Sequence, residues 1–311
     1  MQLKIRFIAS AILLMTVAFV SCKKTDTTPS TTDQNTELAV QSEDQSNFSS
    51  QVDAVANDAN IAIENNAAFN GRIENTQGTV CNATAVADSA NGIRRITLTY
   101  NGTSCTGNRS FAGIVVLSMP FATHWKDAAA VLTINIQNLK ITKLSDNKSI
   151  TINGTKTITN VTGGRIKELA THGTIIHTIA GTNLSVTFDN GTQRTWQVAK
   201  KRVFTYNNDV VITTTGMHTE GGVSGISEWG TNRFGNAFVT AISQPLVVRG
   251  DCDYRLASGE VTHGKLTAAV SVTFGLNAAG VPVSCPGTGN YYYMAVWKGI
   301  NGVTKTTIFP Y

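Results

Sequence analysis

Proline is scarce in this sequence, with six residues in 311. Because proline cannot donate a hydrogen bond to a neighbouring strand, its scarcity permits long, uninterrupted β-strands. The sequence also lacks Cys-x-x-Cys and His-Glu-x-x-His, which excludes the usual zinc-ribbon and zincin motifs. Its apolar run from Phe7 to Val20 spans 14 residues, too few to cross a hydrocarbon core of about 30 Å as a helix.

The N-terminal residues predict export and lipid anchoring. Lys4 and Arg6 precede the apolar run and Phe19-Val20-Ser21-Cys22 follows it, an order typical of a signal peptide, here 1–21. These four residues resemble a bacterial lipobox, so we expect Cys22 to carry acyl chains such as palmitate. The chain would then be anchored to a membrane without spanning it. The alternative is an ordinary signal peptide with a free cysteine nearby.

Charge is unevenly distributed along the chain. Residues 25–71 hold eight acids and no Lys or Arg, whereas 72–311 hold 21 Lys plus Arg against 12 Asp plus Glu. This asymmetry indicates either association between the two parts or an anionic partner such as lipopolysaccharide or an acidic glycan. An even spread over a solvated surface is the plain alternative. We expect no nucleic-acid partner, since the longest basic run is Lys200-Lys201-Arg202.

Two segments are predicted between the anchor and the body. Residues 22–46, the lipidated cysteine and a Thr, Ser, Asp and Gln-rich stretch, have too few apolar side chains to offset their ordering entropy, which predicts a disordered tether. In 47–71, apolar residues recur every three or four positions, from Phe48 to Ala67. This spacing predicts one amphipathic helix, ending at Gly71 and packed on the body.

Residues 72–311 alternate between apolar and polar side chains, which is typical of half-buried antiparallel strands. A change of parity between Ile136 and Leu139 predicts a β-bulge near Gln137-Asn138. Residues 145–148 and Asp189-Asn190-Gly191 are predicted to be hairpin turns. The side chains predicted to point inward on the strand after the second turn are Trp196, Val198, Phe204 and Tyr206, with Lys201 outside.

About 14 to 16 such segments predict an all-β fold, a large antiparallel meander with a single N-terminal amphipathic helix. An open sheet of that size tends to curl or split, so two packed layers and one long curved sheet both remain.

Four cysteines follow Cys22, and export favours disulfides between them. The stretches 81–119 and 252–298 look alike, each with a cysteine, a Thr and Val-rich strand, a glycine and a second cysteine. We interpret them as a possible internal duplication, which predicts local pairing of Cys81 with Cys105 and of Cys252 with Cys285. The alternative is that Thr, Val and Gly-rich strands look alike without common origin.

The mature chain resembles a group of Bacteroidota outer-membrane lipoproteins of unassigned activity. The resemblance lies in the Cys22-Lys23-Lys24 start, the paired cysteines, the Thr-rich segment 152–160, and Phe188 to Thr192 leading to Trp196. It implies an outer-membrane location, lipid-anchored, on the periplasmic or the cell-surface face. It implies no catalytic residue.

No combination of residues in the sequence predicts a reaction, a cofactor or a metal. His218 and Glu220 share one strand face. A pair on the surface is a simpler interpretation of these two residues than a metal site. Asp251 and Asp253 flank Cys252, but the glycine and the bidentate glutamate of an EF-hand loop are missing.

Aromatic residues offer the alternative function. Trp125, Tyr291 and Tyr293, if exposed, could stack on sugar rings and make the body a glycan-binding module. Aromatic residues on strands are more often core. We therefore expect a membrane-anchored exported lipoprotein with a structural or adhesive surface role, not an enzyme, with glycan binding as the alternative.

Overall fold

The computed structural model describes residues 37, 40–41, 44–45, 48, 55–56, 58–64, 66–70, 80, 82–104, 107, 109–144, 147–252, 254–265, 268–283, 285, 291–298 and 302–310. The signal peptide, Cys22, Cys81 and Cys105 lie outside these residues, so lipidation and the first cysteine pair stay predictions. None of the helices among the described residues is both long and apolar enough to cross a membrane.

Strands dominate the described residues, and the predicted all-β class is confirmed. They are β1 (Ala83–Ala90), β2 (Ile93–Thr103), β3 (Arg109–Pro120), β4 (Ala130–Lys143), β5 (Ser149–Asn160), β6 (Ile175–Phe188), β7 (Gln193–Asn207), β8 (Asp209–Gly216), β9 (His218–Glu220), β10 (Val223–Thr231), β11 (Ala237–Arg249), β12 (Arg255–Lys265), β13 (Ala268–Leu276), β14 (Tyr292–Lys298) and β15 (Thr304–Pro310). Short helices α1 (Ala67–Asn70) and α2 (Leu169–His172) and the 3₁₀ turns Ile166–Glu168 and Gly250–Cys252 complete the elements.

All fifteen strands belong to a single antiparallel sheet, so of the two predicted architectures one continuous sheet is the one observed. Its main path runs from β1 to β7, continues with β10, and ends at β15. The long strand β7 pairs with β6 on one side, while its other side is shared between β10 and β8. Strand β8 in turn pairs with the second half of β11.

Two local predictions are confirmed. The pairing of β4 with β5 shifts register between Ile136 and Leu139, and Asn138 takes a φ of 48° there, as a bulge requires. At the β6–β7 turn, Gly191 takes a φ of 78° and its N–H donates to the Phe188 carbonyl at 3.0 Å.

The main core lies on one face of β2 to β7, called the inner face below. One cluster there joins the sheet to helical residues that precede α1, such as Phe48 and Ile63. Its members on the sheet include Ile96, Leu117, Ile134, Ile158 and Val186. A second cluster continues on β11 to β14 around Val261 and Val272. Tyr206, predicted to point inward, is instead 52% exposed near the end of β7, because the core beneath the sheet ends at Phe204.

The helical region begins earlier than predicted. The helical residues described before α1 are Glu37, Val40, Gln41, Asp44, Gln45, Phe48, Val55, Ala56 and 58–64, named the N-terminal helical residues here. Five of them fall within the predicted tether 22–46, so the segment predicted to be disordered includes helical residues. Spacings of three and four place Gln41, Asp44, Gln45 and Phe48 on one buried helix face.

Cys252 and Cys285 form a disulfide with their Cα atoms 5.8 Å apart, which confirms the predicted local pairing of these two residues. The bond joins the 3₁₀ turn before β12 to the residues before β14. The stretch 81–119 covers β1 to β3, a three-stranded meander at one end of the sheet, and the stretch 252–298 covers β12 to β14, a three-stranded meander next to the edge strand β15. Their origin by duplication stays a prediction.

Replacing both Cys252 and Cys285 by Ala is expected to lower the free energy of unfolding by roughly 3 kcal/mol, because the unfolded chain regains the entropy of a loop with 33 residues of separation. Urea unfolding of both proteins measures the difference. A reducing agent should destabilise the wild type more than the double variant, which keeps only the predicted Cys81–Cys105 bond. Equal unfolding midpoints without reductant would contradict the prediction.

Candidate functional site

The inner face of β7 carries basic side chains in the middle of the core. Alternation along the strand gives Arg194, Lys200 and Arg202 the same orientation as Trp196 and Phe204, and all five are buried. Burying a cation is costly unless an anion or a hydrogen-bond acceptor faces it. Partners for this row must therefore come from the neighbouring strands or from the helix above.

Strand β10 supplies one such partner. Glu228 is 1% exposed and lies opposite Val198 of β7, one inward-facing position from Lys200. The Lys200 Nζ and Glu228 Oε1 atoms are 2.5 Å apart. Both side chains are buried, so each charge compensates the other within the core.

The polar row continues across the sheet. Glu228 pairs in register with Thr240 of β11, and Thr240 with His263 of β12. The Thr240 Oγ1 and His263 Nδ1 atoms lie 3.0 Å apart. Burial, together with the charge of Arg194, lowers the pKa of His263 to about 3. The imidazole is therefore neutral at physiological pH.

Arg194 binds the helix above it. Its guanidinium donates through Nη2 to the Gln45 Oε1 atom and lies over the ring of Phe238, 4.0 Å from the centroid. The ring of Phe48, close by, packs edge-on against Trp196. Burial lowers the pKa of Arg194 to about 10, with Glu228 and Asp44 acting in the opposite direction.

The N-terminal helical residues contribute anions to the same region. Arg233, in the turn between β10 and β11, donates to both Asp44 carboxylate oxygens at 2.6 Å. Two helical turns earlier, Glu37 accepts from the side-chain amides of Asn232 and Asn236 at 2.8 and 2.7 Å. A helix and a turn almost 200 residues apart are joined by these bonds.

The same pattern recurs farther along the helix. Asp58 accepts a hydrogen bond from the Tyr100 hydroxyl at 2.9 Å, and Glu64 accepts from the backbone N–H groups of Ile166 and Lys167 at 2.7 and 3.3 Å. Burial raises the pKa of both carboxyl groups. All four acids described in 25–71 thus contact the β body, which supports association within the chain as one reason for the charge asymmetry.

Two of the three aromatic residues predicted to bind sugar are buried, and that assignment is wrong for them. Trp125 is 0% exposed, with its carbonyl bonded by the Asn160 amide. Tyr291 is 3% exposed, with its hydroxyl 3.8 Å from the Cys252 sulfur. Tyr293 is half-buried and stacked on Phe309.

The remaining polar candidates among the described residues have local contacts, whereas Asp253 lies outside those residues. His218 stacks on Trp229 with 4.1 Å between ring centroids, and its Nε2 atom is 3.6 Å from Glu220. Asp251 and the sulfurs of Cys252 and Cys285 lie within 4.8 Å of one another. However, both sulfurs belong to the disulfide and Arg249 binds the Asp251 carboxylate.

Comparison with known proteins finds no counterpart: no family model, no curated protein and no solved structure matches this chain.

The two buried histidines of the inner face, His177 and His263, are poorly suited to proton transfer at neutral pH. A general acid or base works best with a pKa near the operating pH. Burial lowers the pKa of His177 and of His263 to about 3, so neither accepts a proton at neutral pH. This polar row was not predicted, because the inward face of the strand was assigned from its apolar residues. The signal was present in the shared parity of Arg194, Lys200 and Arg202 with Trp196.

Proposed function

We propose that the protein is an exported lipoprotein, anchored to the outer membrane through Cys22, whose β body has a structural or adhesive role at the membrane surface and no catalytic activity. The lipobox-like Phe19-Val20-Ser21-Cys22 carries this proposal. The buried histidines with pKa values far below neutrality support the absence of acid–base chemistry.

The contacts of Glu37 add a geometric consequence. Only 15 residues separate Cys22 from Glu37, which is bonded to the β10–β11 turn. A fully extended chain of that length spans at most about 50 Å. A lipidated Cys22 would therefore hold the β body close to the membrane, as expected of a surface scaffold.

Replacing Cys22 by Ser is expected to abolish lipidation, because serine offers no sulfur for the acyl donor. In cells fed an alkyne-tagged fatty acid, the wild type should carry the label and fractionate with membranes, whereas C22S should lack the label. As a matched control, C285S removes a different cysteine and should keep the label. An unmodified Cys22 in purified membranes would refute the anchor.

Glycan binding is not favoured by any observation on the predicted residues. Trp125 and Tyr291 offer no exposed ring face, and Tyr293 is in contact with Phe274 and Phe309. We therefore retain the structural or adhesive role as the single proposed function.

A further inference from the structure

Among the three cations Arg194, Lys200 and Arg233, Arg194 is the one whose described partner is neutral. Lys200 is paired with Glu228 and Arg233 with Asp44, each through a carboxylate. Arg194 is 0% exposed, and its described hydrogen bond goes to the amide oxygen of Gln45. Among the described residues, the Arg194 guanidinium therefore has no carboxylate as a direct hydrogen-bond partner.

Several hydrogen-bond donors around Arg194 also have no acceptor. The Arg194 Nε and Nη1 atoms and the Trp196 Nε1 atom are buried without a hydrogen-bond partner among the described residues. These three N–H groups belong to neighbouring inward-facing positions of β7. Buried polar groups in proteins are almost always bonded, and an N–H group of a cation left without an acceptor is especially costly.

His263 and Gln41 extend the same polar region. The His263 Nε2 atom is buried without a partner among the described residues. The charge of Arg194 contributes to lowering the pKa of His263. Gln41 lies one helical turn before Gln45, and neither of its buried amide atoms has a partner among the described residues. A buried guanidinium together with the unpartnered N–H groups of Arg194 and Trp196 matches the chemistry of an oxyanion, whose oxygens accept several hydrogen bonds each.

We propose that Arg194 and Trp196 form an internal oxyanion site, which takes a carboxylate or a phosphate group. Arg194 provides the charge and the unpartnered N–H groups of Nε and Nη1, either of which can donate to the anion. The rings of Phe48 and Phe238 lie beside the guanidinium. They form an apolar environment that would suit the first carbons of an acyl chain. The oxyanion is either a free ion or the head group of an amphiphile, and the two sources share this chemistry at Arg194.

Thermal unfolding tests the proposal on the full chain carrying C22S, so that no attached acyl group competes for the site. The probes are sodium phosphate, sodium decanoate and, as a neutral chain of equal length, decanol, all at one ionic strength set with sodium chloride. A probe that binds the folded state should raise the Tm by roughly 3–6 °C at about tenfold excess over its Kd.

The expected result is a rise in Tm with phosphate, decanoate or both, and none with decanol. Phosphate alone identifies a free ion, and decanoate alone identifies an amphiphile. The variant Arg194→Met should lose the response while keeping a Tm near or above that of the parent, since an apolar side chain of similar length removes a buried charge. The control Arg95→Met changes an exposed arginine paired with Asp88 and should keep the full response.

Three results would overturn the site: no shift with either anion, an equal shift with decanol, or an undiminished shift in R194M. If R194M does not fold, Arg194→Lys decides the question. Lysine keeps the charge but loses the Nε–H and Nη1–H donors, so the apparent Kd should rise at least tenfold, whereas an unchanged Kd would contradict the proposal.

Discussion

Replacing Glu228 by Gln is expected to lower the free energy of unfolding by about 3–5 kcal/mol, since the Lys200 ammonium stays buried without this carboxylate. Glutamine preserves the size and shape of the side chain, so the loss reports the charge and not a cavity. Arg194 loses the same compensating charge, because Glu228 acts on its guanidinium as well. Urea unfolding with an unchanged m-value would measure the effect.

The matched control is Glu220→Gln, which changes an exposed acid 3.6 Å from His218 and should alter stability by less than about 1 kcal/mol. A second test replaces both members of the buried pair, with Met at Lys200 and Leu at Glu228. Apolar residues of similar volume often restore or exceed the parent stability. Equal midpoints for E228Q and the wild type would show that the pair does not hold the core together.

The strands could be predicted from the sequence because a pleated strand imposes a period of two on its side chains. Ile152 and Ile158, predicted to be half-buried strand residues, are buried. The bulge at Asn138 could be predicted for the same reason, since a single extra residue reverses the parity of everything after it. These features depend on near neighbours in the chain, which the sequence displays directly.

The polar core could not be predicted in the same way. Glu37, Asp44 and Gln45 looked like tether residues because they bury no apolar surface of their own. Their partners, Asn232, Arg233 and Arg194, are about 150 to 195 residues away in the chain. Only the sheet topology, which places β10 beside β7, brings the three partners under one helix face.

Trp125 was considered as an exposed sugar-binding residue, but its side chain is buried. It lies between β3 and β4, in a connection where no strand parity predicts the direction of a side chain. Its burial results from the fold, because the backbone N–H donates to the Phe69 carbonyl and the ring packs 5.1 Å from the ring of His177. A tryptophan in a loop is a poor guide to a binding surface unless its long-range contacts are known.

Acidification is expected to destabilise the protein through His177 and His263. Burial lowers the pKa of each to about 3 in the folded chain, against about 6.5 in an unfolded one. Below pH 6.5 the unfolded chain binds protons that the folded chain refuses, so the free energy of unfolding falls as the pH falls. The loss continues down to about pH 3 and approaches roughly 4 kcal/mol for the two residues together at pH 5.

Variants separate the histidines from the carboxyl groups in this titration. Phenylalanine at position 177 suits the surroundings, because the His177 ring lies edge-on between Trp125 and Phe204, with ring centroids 5.1 and 4.8 Å away. H177F should therefore lose about half of the decrease between pH 7 and pH 5, measured by urea unfolding at each pH. The control His172→Gln removes an exposed histidine and should leave the slope as it is. Because Asp58 and Glu64 have pKa values raised by burial, their protonation favours the folded state and cannot cause the loss. An unchanged slope in H177F would mean that the imidazole of His177 is hydrated and charged in the folded protein.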